Sequence, residues 1–158
     1  MQALLMILCV LGITAADQIT KALVVEHIPL YAQLGGVDGL FHLTHVHNTG
    51  AAFSVFRGHQ WLFILIFLVF TGCIVWEFWK RKMPFTTLER WCILCVYAGG
   101  LGNVIDRVRL GYVVDMIEVE FIRFPVFNVA DCFITCGCIL LLVHLLFFNR
   151  SFWKDEKK

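Results

Sequence analysis

Charged side chains are scarce in this sequence, and their scarcity excludes an ordinary soluble domain. Asp, Glu, Lys and Arg make up 16% of the 158 residues, whereas 59% are hydrophobic and the mean hydropathy is +0.78. A soluble domain carries about 25% charged residues and is about half apolar. The net charge is only +1 and there is no basic stripe, so no nucleic-acid interface is predicted. The composition predicts an integral membrane protein.

Several familiar catalytic and metal motifs are also missing. The sequence has no Gly-x-Ser-x-Gly elbow, no phosphate-binding glycine loop and no His-Glu-x-x-His motif. All seven cysteines lie in apolar stretches rather than in the long loops, which argues against a disulfide framework. Cys92 and Cys95 form a Cys-x-x-Cys pair, but no second pair or histidine follows at ligand spacing, so buried packing is favoured.

Four stretches contain no charged side chain: residues 1–16, 58–76, 91–105 and 132–149. With their polar ends included, each approaches the roughly 20 residues that a helix needs to cross about 30 Å of hydrocarbon. The sequence therefore predicts an all-α membrane protein with four transmembrane helices in a single domain over residues 1–158. The predicted helices cover about 4–24, 59–79, 88–108 and 128–149, and the outer loops about 25–58 and 109–127.

The first apolar stretch has an alternative interpretation as a cleaved signal peptide. Thr14, Ala15 and Ala16 resemble a small-residue processing site after an apolar run. However, no Lys or Arg precedes the run, and Gln18 and Lys21 continue a plausible helix end. A retained transmembrane helix is therefore favoured.

The distribution of Lys and Arg predicts the orientation. Positive residues are concentrated between the second and third helices and in the C-terminal tail, at Lys80, Arg81, Lys82, Arg90, Arg150, Lys154, Lys157 and Lys158. The much longer outer loops and their adjoining helix ends hold only Lys21, Arg57, Arg107, Arg109 and Arg123. By the positive-inside rule, both termini are cytoplasmic. The unusual polar residues at the other ends of the helices then converge on the outer leaflet.

The first outer loop is predicted to contain a small β-sheet. Residues 40–56 show patchy alternation and are rich in strand-forming side chains. Turn residues interrupt the loop at Gly35, Gly36 and the segment 48–50. In the second outer loop, Pro125 is predicted to mark the entry to the fourth helix.

Asp115 and Asp131 are the most informative polar residues because carboxylates near lipid are costly unless they are functional. One interpretation is an aspartic dyad, in which two close carboxyl groups share a proton and activate water. The other is a solvated loop carboxylate at Asp115 and a helix cap at Asp131. The spacing in the sequence permits both.

Two further polar groups lie at predicted helix ends. Asn103, Asp106 and Arg107 share one helix face, where they could hold a peptide or orient a carboxylate, or simply form a helix end with a snorkelling Arg. Asp17 and Lys21 have the spacing and order of a favourable helical ion pair, which predicts a structural role.

A histidine cluster on the first outer loop suggests a metal site. His45 and His47 would project from one face of a strand and His42 from the other, so a three-histidine site would need a bulge. No carboxylate follows at a matching spacing, so polar surface histidines are favoured and no metal is expected. His144, within the fourth helix, is predicted to be packed and hydrogen-bonded.

The ordered motifs resemble those of one family, the lipoprotein signal peptidases (signal peptidase II). The matching segments are Asp17-Gln18-Ile19-Thr20-Lys21, Asn48-Thr49-Gly50-Ala51-Ala52-Phe53, Gly102-Asn103-Val104-Ile105-Asp106-Arg107, Val113-Val114-Asp115 and Phe127-Asn128-Val129-Ala130-Asp131. Each is short, but together they occur in the family's order and cover nearly the whole chain. The histidines and cysteines are not part of this pattern.

The resemblance implies a bacterial inner-membrane aspartic endopeptidase that needs no metal or cofactor. Such an enzyme cuts lipid-modified prolipoproteins just before the diacylglyceryl-modified cysteine, and a monomer in contact with membrane lipid is expected. By motif position, Asp115 and Asp131 match the catalytic pair. The implied substrate-binding residues are Asn48, Asn103, Asp106, Arg107 and Asn128. Asp17 and Lys21 match a motif whose role is structural.

The polar residues also suggest two other function classes. In a small ion-coupled transporter, Asp17, Asp106 and Asp131 would be carriers, but such sites lie near the midplane and need a path to both sides. The cytoplasmic halves of the helices offer only Glu77 and His144 as ionisable groups, so that path is poorly supported. A non-catalytic membrane scaffold is the third class.

Overall fold

A computed structural model of the protein describes residues 2–50, 56 and 58–153. The chain forms four helices and three strands, namely α1 (Gln2–His27), β1 (Gln33–Val37), β2 (Phe41–Asn48), α2 (Gln60–Lys80), α3 (Thr87–Leu110), β3 (Val113–Val119) and α4 (Val129–Phe147). Several residues used in the sequence analysis lie outside the described residues, namely Ala51, Ala52, Phe53, Val55, Arg57, Lys154, Lys157 and Lys158.

Three of the described helices are long and apolar enough to cross a membrane. These are α1 with 26 residues, α2 with 21 and α4 with 19, and few residues of each are buried inside the protein. An apolar surface of this kind is stable in hydrocarbon and not in water. The predicted membrane protein is confirmed for these three helices.

The helix α3 is different, so a fourth membrane crossing is not confirmed. Its residues include Glu89, Arg90, Asp106, Arg107 and Arg109, which lower its mean hydropathy. However, α3 packs against α1, α2 and α4, and its buried residues run along its whole length. Because a central helix is sheltered by its neighbours, its sequence does not need the uniformly apolar surface of a lipid-facing helix.

Small residues let α3 approach α4 closely. A Cβ atom on Gly99 would lie 2.4 Å from the Ala130 carbonyl oxygen and 2.9 Å from Cγ1 of Ile134. A Cβ on Gly137 would lie 2.8 Å from Val96. Small residues at helix contacts are typical of membrane proteins, where packing replaces the hydrophobic effect as the driving force. Gly99 therefore sets the position of the first turn of α4.

We expect Gly99→Ala to destabilise the protein by about 1–3 kcal/mol, because the new methyl group meets backbone that cannot rotate away. Thermal unfolding in detergent measures this loss. Gly72→Ala, on α2 with nothing within 4 Å of its Cβ, is the matched control and should not lower the melting temperature. Equal melting temperatures for the two variants would contradict the close-packing argument.

The strands form one antiparallel sheet in the order β1-β2-β3. The predicted sheet between the first two helices is confirmed in β1 and β2. The sequence analysis named no strand between the third and fourth helices, yet β3 lies there and pairs with β2 from Phe41 opposite Val119 to Asn48 opposite Val113. The inner face of β3 packs on the end of α1, where Val114 and Met116 join Val24 and Ile28 in a small core. The sheet is thereby fixed to the bundle.

A buried polar cluster joins α3 and α4 at the other end of the bundle. Glu89 is fully buried and accepts hydrogen bonds from Asn149 Nδ2 at 2.7 Å and the Thr86 backbone N–H at 2.7 Å, while His144 Nδ1 lies 2.8 Å from it. Thr86 and Glu89 form a capping box that begins α3. His144 is packed and hydrogen-bonded, as the sequence predicted.

Candidate active site

Asp115 lies in the middle of β3 with its side chain buried. Its Oδ2 accepts a hydrogen bond from Asn48 Nδ2 at 2.9 Å, and its Oδ1 accepts one from Asn128 Nδ2 at 2.6 Å. Asn48 ends β2, and its own Oδ1 accepts from the Gly50 backbone N–H at 2.9 Å, which orients its amide toward Asp115. The sheet therefore holds this carboxyl group in one position.

Asp131 lies in the first turn of α4. It forms a capping box with Asn128, since Asp131 N–H donates to Asn128 Oδ1 at 3.0 Å and Asn128 N–H donates to Asp131 Oδ2 at 3.2 Å. Its other oxygen accepts from Asn103 Nδ2 at 2.8 Å. Asp131 therefore does cap α4, as one interpretation of the sequence predicted. This role does not place it far from Asp115, because both carboxyl groups contact Asn128.

Asn128 connects the two carboxyl groups. Its amide nitrogen donates to Asp115 while its backbone N–H donates to Asp131, so one fully buried residue contacts both. The same amide donates to Asn103 Oδ1 at 3.1 Å. Because Asn103 Oδ1 also accepts from Lys21, the amino group of Asn103 is directed at Asp131. The orientation of every amide in this network is fixed by its partners.

A buried ionic network contacts the amide side chain of Asn103. Lys21 Nζ lies 2.9 Å from each of Asp17 Oδ2, Asp106 Oδ2 and Asn103 Oδ1. Asp17 Oδ1 accepts from the Ala130 backbone N–H at 3.0 Å, which ties α1 to the first turn of α4. The structural ion pair that the sequence predicted in α1 is present, and it reaches all the way to α4.

Asp106 and Asn128 lie behind the wall of the cavity rather than on it. Asp106 is 2% exposed, and its oxygens accept from Lys21, from the Val114 backbone N–H and from Gln18 Nε2. In the sequence, Gln18 belongs to a predicted helix end and to the first matching motif, but no role was assigned to its side chain. Its position one turn before Lys21, on a helix with few other polar residues, is the signal that could have identified it.

Arg107 lies on the cavity side of α3. Its Nη2 donates to the Gly50 carbonyl oxygen at 3.0 Å and its Nη1 to the Asn103 carbonyl oxygen at 3.2 Å. The guanidinium also lies 4.4 Å from the centre of the Phe63 ring, within cation–π distance. These contacts join α3 to the end of β2 and to α2, and they hold the cation in place beside the two carboxyl groups.

An apolar cavity of about 640 Å³ opens onto these polar groups. Its polar lining includes Asn48, Asn103, Arg107, Asp115 and Asp131. Its apolar walls come from α2, α3 and α4 and include Phe63, Phe67, Phe70, Val96 and Ile134. A cavity of this size with a few convergent polar groups has the form of a ligand site.

The environment of Asp115 favours its protonated form. Burial and, after it, the negative charge of Asp131 raise the pKa of Asp115 from 3.8 to about 7, although hydrogen bonds from Asn48 and Asn128 oppose the rise. At neutral pH this carboxyl group therefore exchanges a proton readily, which is the property needed for acid–base chemistry.

The histidines of the first outer loop have other partners. His42 lies 2.8 Å from Glu118 and 2.9 Å from Glu120 of β3, and His47 Nε2 lies 3.2 Å from His45 Nε2. In residues 2–50, 56 and 58–153, no group of three or more His, Cys, Asp or Glu side chains has metal-binding geometry.

Comparisons with known proteins place this arrangement in a family. A family model described as signal peptidase (SPase) II matches residues 9–147. A lipoprotein signal peptidase of Streptococcus pyogenes serotype M1 is 37% identical over 157 residues, covering 99% of this chain and 97% of the relative. The corresponding protein of Streptococcus pyogenes serotype M5 (strain Manfredo) is 36% identical over 157 residues, with the same coverage.

The fold is also shared with solved structures. Two structures described as bacterial membrane enzymes superpose with TM-scores of 0.85 and 0.81, each at 30% sequence identity. The first superposition covers 97% of this chain and 93% of the solved chain. The second covers 91% of this chain and 94% of the solved chain. The motif order, the family match over most of the chain and the shared fold agree, and the chain belongs to the signal peptidase II family.

Proposed function

We propose that this protein is an aspartic endopeptidase that removes the signal peptide from lipid-modified prolipoproteins, cutting just before the lipidated cysteine. Membership of the signal peptidase II family supports the substrate class. The observation that carries the aspartic assignment is the meeting of Asp115 and Asp131 around Asn128, at the polar end of an apolar cavity. Two buried carboxyl groups joined by one residue form an arrangement suited to holding a water molecule between them.

In the proposed mechanism, ionised Asp131 takes a proton from the water while protonated Asp115 donates its proton to the carbonyl oxygen of the scissile bond. The water oxygen bonds to the carbonyl carbon and forms a tetrahedral diol. Breakdown of the diol cleaves the C–N bond, the cysteine nitrogen takes the proton from Asp131, and a diol proton returns to Asp115. The pKa of Asp115, raised to about 7 by burial, supports its role as the proton donor.

The apolar cavity would receive the end of the signal helix and the acyl chains of the substrate. Asn48, Asn103 and Arg107 line its polar end, where they would hold the peptide in an extended form. The positions of Asp106 and Asn128 behind the wall indicate that they position these groups rather than contact substrate. Asp17 and Lys21 would support the whole network.

We further propose the arrangement of the protein in the bacterial inner membrane. The contacts of α3 with α1, α2 and α4 support a fourth crossing, sheltered from lipid by the other three helices. With both termini in the cytoplasm, the active site lies at the outer leaflet, where a substrate anchored by a signal helix and a diacylglyceryl chain presents its scissile bond. The complete polar network within one chain supports a monomer.

A cleavage assay tests the proposed function. Purified protein in detergent is incubated with a diacylglyceryl-modified prolipoprotein, and removal of the signal peptide is followed as a gel shift. We expect cleavage that globomycin, the inhibitor associated with the family, blocks. Cleavage of the unmodified preprotein at the same rate would contradict the lipid requirement, and an uncleaved modified substrate would overturn the proposed function.

We expect kcat/KM to follow a bell-shaped pH profile. Activity on the basic side falls as Asp115 loses its proton near pH 7, and on the acidic side as the second carboxyl group becomes protonated. Asn48→Ala removes a hydrogen bond that lowers the pKa of Asp115, so it should move the basic limb to higher pH. The measurement is the initial cleavage rate against pH, and a flat rate from mildly acidic to alkaline pH would contradict the paired carboxyl groups.

A further inference from the structure

A second cavity, of about 860 Å³, is lined by residues of β2 and β3 and by the segment 122–126. It is polar at the strand side, where His42, Glu118 and Glu120 line it, and it is bounded on the other side by residues 122–126. We call it the outer cavity, to distinguish it from the apolar cavity described above.

The two cavities meet at Asp115. Asn48, Asp115 and residues 124–126 line both of them, whereas Asp131 lines only the apolar cavity. A polypeptide that enters from the apolar cavity and passes the two carboxyl groups therefore leaves past Asp115 into the outer cavity.

The charges in the outer cavity are unevenly paired. Glu118 and Glu120 are both engaged by His42, at 2.8 and 2.9 Å, and Glu120 also accepts from the Gly39 backbone N–H at 2.8 Å. These hydrogen bonds raise the pKa of His42, and when it is protonated its charge offsets part of the negative charge of the two carboxylates. Across the cavity, Arg123 is exposed and makes no hydrogen bond or ion pair with the described part of the chain. Arg123 is therefore the cation of this cavity that the described residues leave available to an acidic ligand.

We propose that the outer cavity binds the first residues of the mature polypeptide, immediately after the lipidated cysteine, and that Arg123 favours an acidic side chain among them. The inference rests on the proposed function, because cleavage at Asp115 determines which part of the substrate enters this cavity. It adds a determinant of substrate preference in the part of the lipoprotein that is retained after cleavage.

The test uses matched prolipoproteins that differ only in having Asp, Ser or Lys at one of the positions following the cysteine. For the wild-type protein, we expect kcat/KM for the best Asp substrate to exceed that for the matching Lys substrate by about two- to fivefold, the range of one exposed charge pair. Arg123→Gln should abolish the preference and Arg123→Glu should reverse it. Raising the salt concentration should shrink the preference, because the charges are exposed to solvent.

Arg109→Glu is the control. This substitution makes the same change of charge in the last turn of α3, at a residue that lines neither cavity. It should leave the preference for Asp over Lys intact. Equal cleavage of all substrates by the wild-type protein, or a preference unchanged in Arg123→Glu, would overturn the inference while leaving the proposed function standing. Failure to cleave any of the substrates would count against the proposed function itself.

Discussion

Asp115→Asn and Asp131→Asn are each expected to lower kcat for prolipoprotein cleavage by about 10³-fold or more. Each variant removes either the group that accepts the proton of the attacking water or the group that protonates the carbonyl oxygen, and such groups contribute about 10²–10⁴-fold. Because the two carboxyl groups act as a unit, the double variant should be little worse than either single variant. Single-turnover cleavage of the diacylglyceryl-modified substrate measures the effect.

The loss should not come from unfolding. Since burial raises the pKa of Asp115 from 3.8 to about 7, the stability that its protonated form contributes is complete below about pH 4 and is lost as the pH rises through 7. A neutral Asn at this position avoids that loss, although its own NH2 group must face the amide of Asn48 or Asn128. Relative to the wild type, the melting temperature of the Asp115→Asn protein should therefore be higher at alkaline than at acidic pH.

Asp38→Asn is the matched control, because Asp38 is exposed in the turn between β1 and β2 and lies in neither cavity. It should leave kcat unchanged. Substantial activity in Asp115→Asn or Asp131→Asn, with the control also active, would show that the aspartic assignment is wrong. A difference in melting temperature between Asp115→Asn and the wild type that does not change with pH would contradict the argument from burial.

The sequence predicted the membrane character and the helices better than it predicted the sheet. Lipid-facing helices such as α1, α2 and α4 are recognised by long uncharged runs in the sequence, and this signal depends only on local composition. The strand β3 is short, and its pairing partner β2 is far away in the sequence, so no local pattern required it to be a strand. Whether α3 crosses the membrane is harder to predict from its sequence. Its surroundings are provided by α1, α2 and α4, so its own residues need not be uniformly apolar.

The candidate site was predictable as a set of residues but not as a geometry. Asn103, Asp106 and Arg107 do share a broad face of α3, yet successive residues turn by about 100°, so Asp106 and Arg107 point in different directions. Asp106 faces Lys21 of α1, whereas Arg107 faces the cavity and Phe63 of α2. Similarly, the spacing of Asp115 and Asp131 could not reveal that Asn128 contacts both, because that contact depends on β3 crossing the start of α4.

Lys21→Met is expected to have the largest effect on stability. Lys21 is 3% exposed and is the cation that pairs with both Asp17 and Asp106, which are 0% and 2% exposed. Removing one partner of a buried ionic group leaves uncompensated charge and costs about 3–5 kcal/mol. We therefore expect a large fall in the melting temperature in detergent. Lys80→Met, which removes an exposed positive charge at the end of α2, should change it little.

A second substitution distinguishes the charge argument from simple loss of packing. Adding Asp106→Asn to Lys21→Met removes one of the two unpaired carboxylates, so the double variant should be more stable than Lys21→Met alone. If packing were the cause, the second substitution would only add to the damage. Because Lys21 also fixes the amide of Asn103 that donates to Asp131, activity should remain low even where stability returns. A Lys21→Met protein that is inactive but melts like the wild type would show that Lys21 positions the site without stabilising the fold.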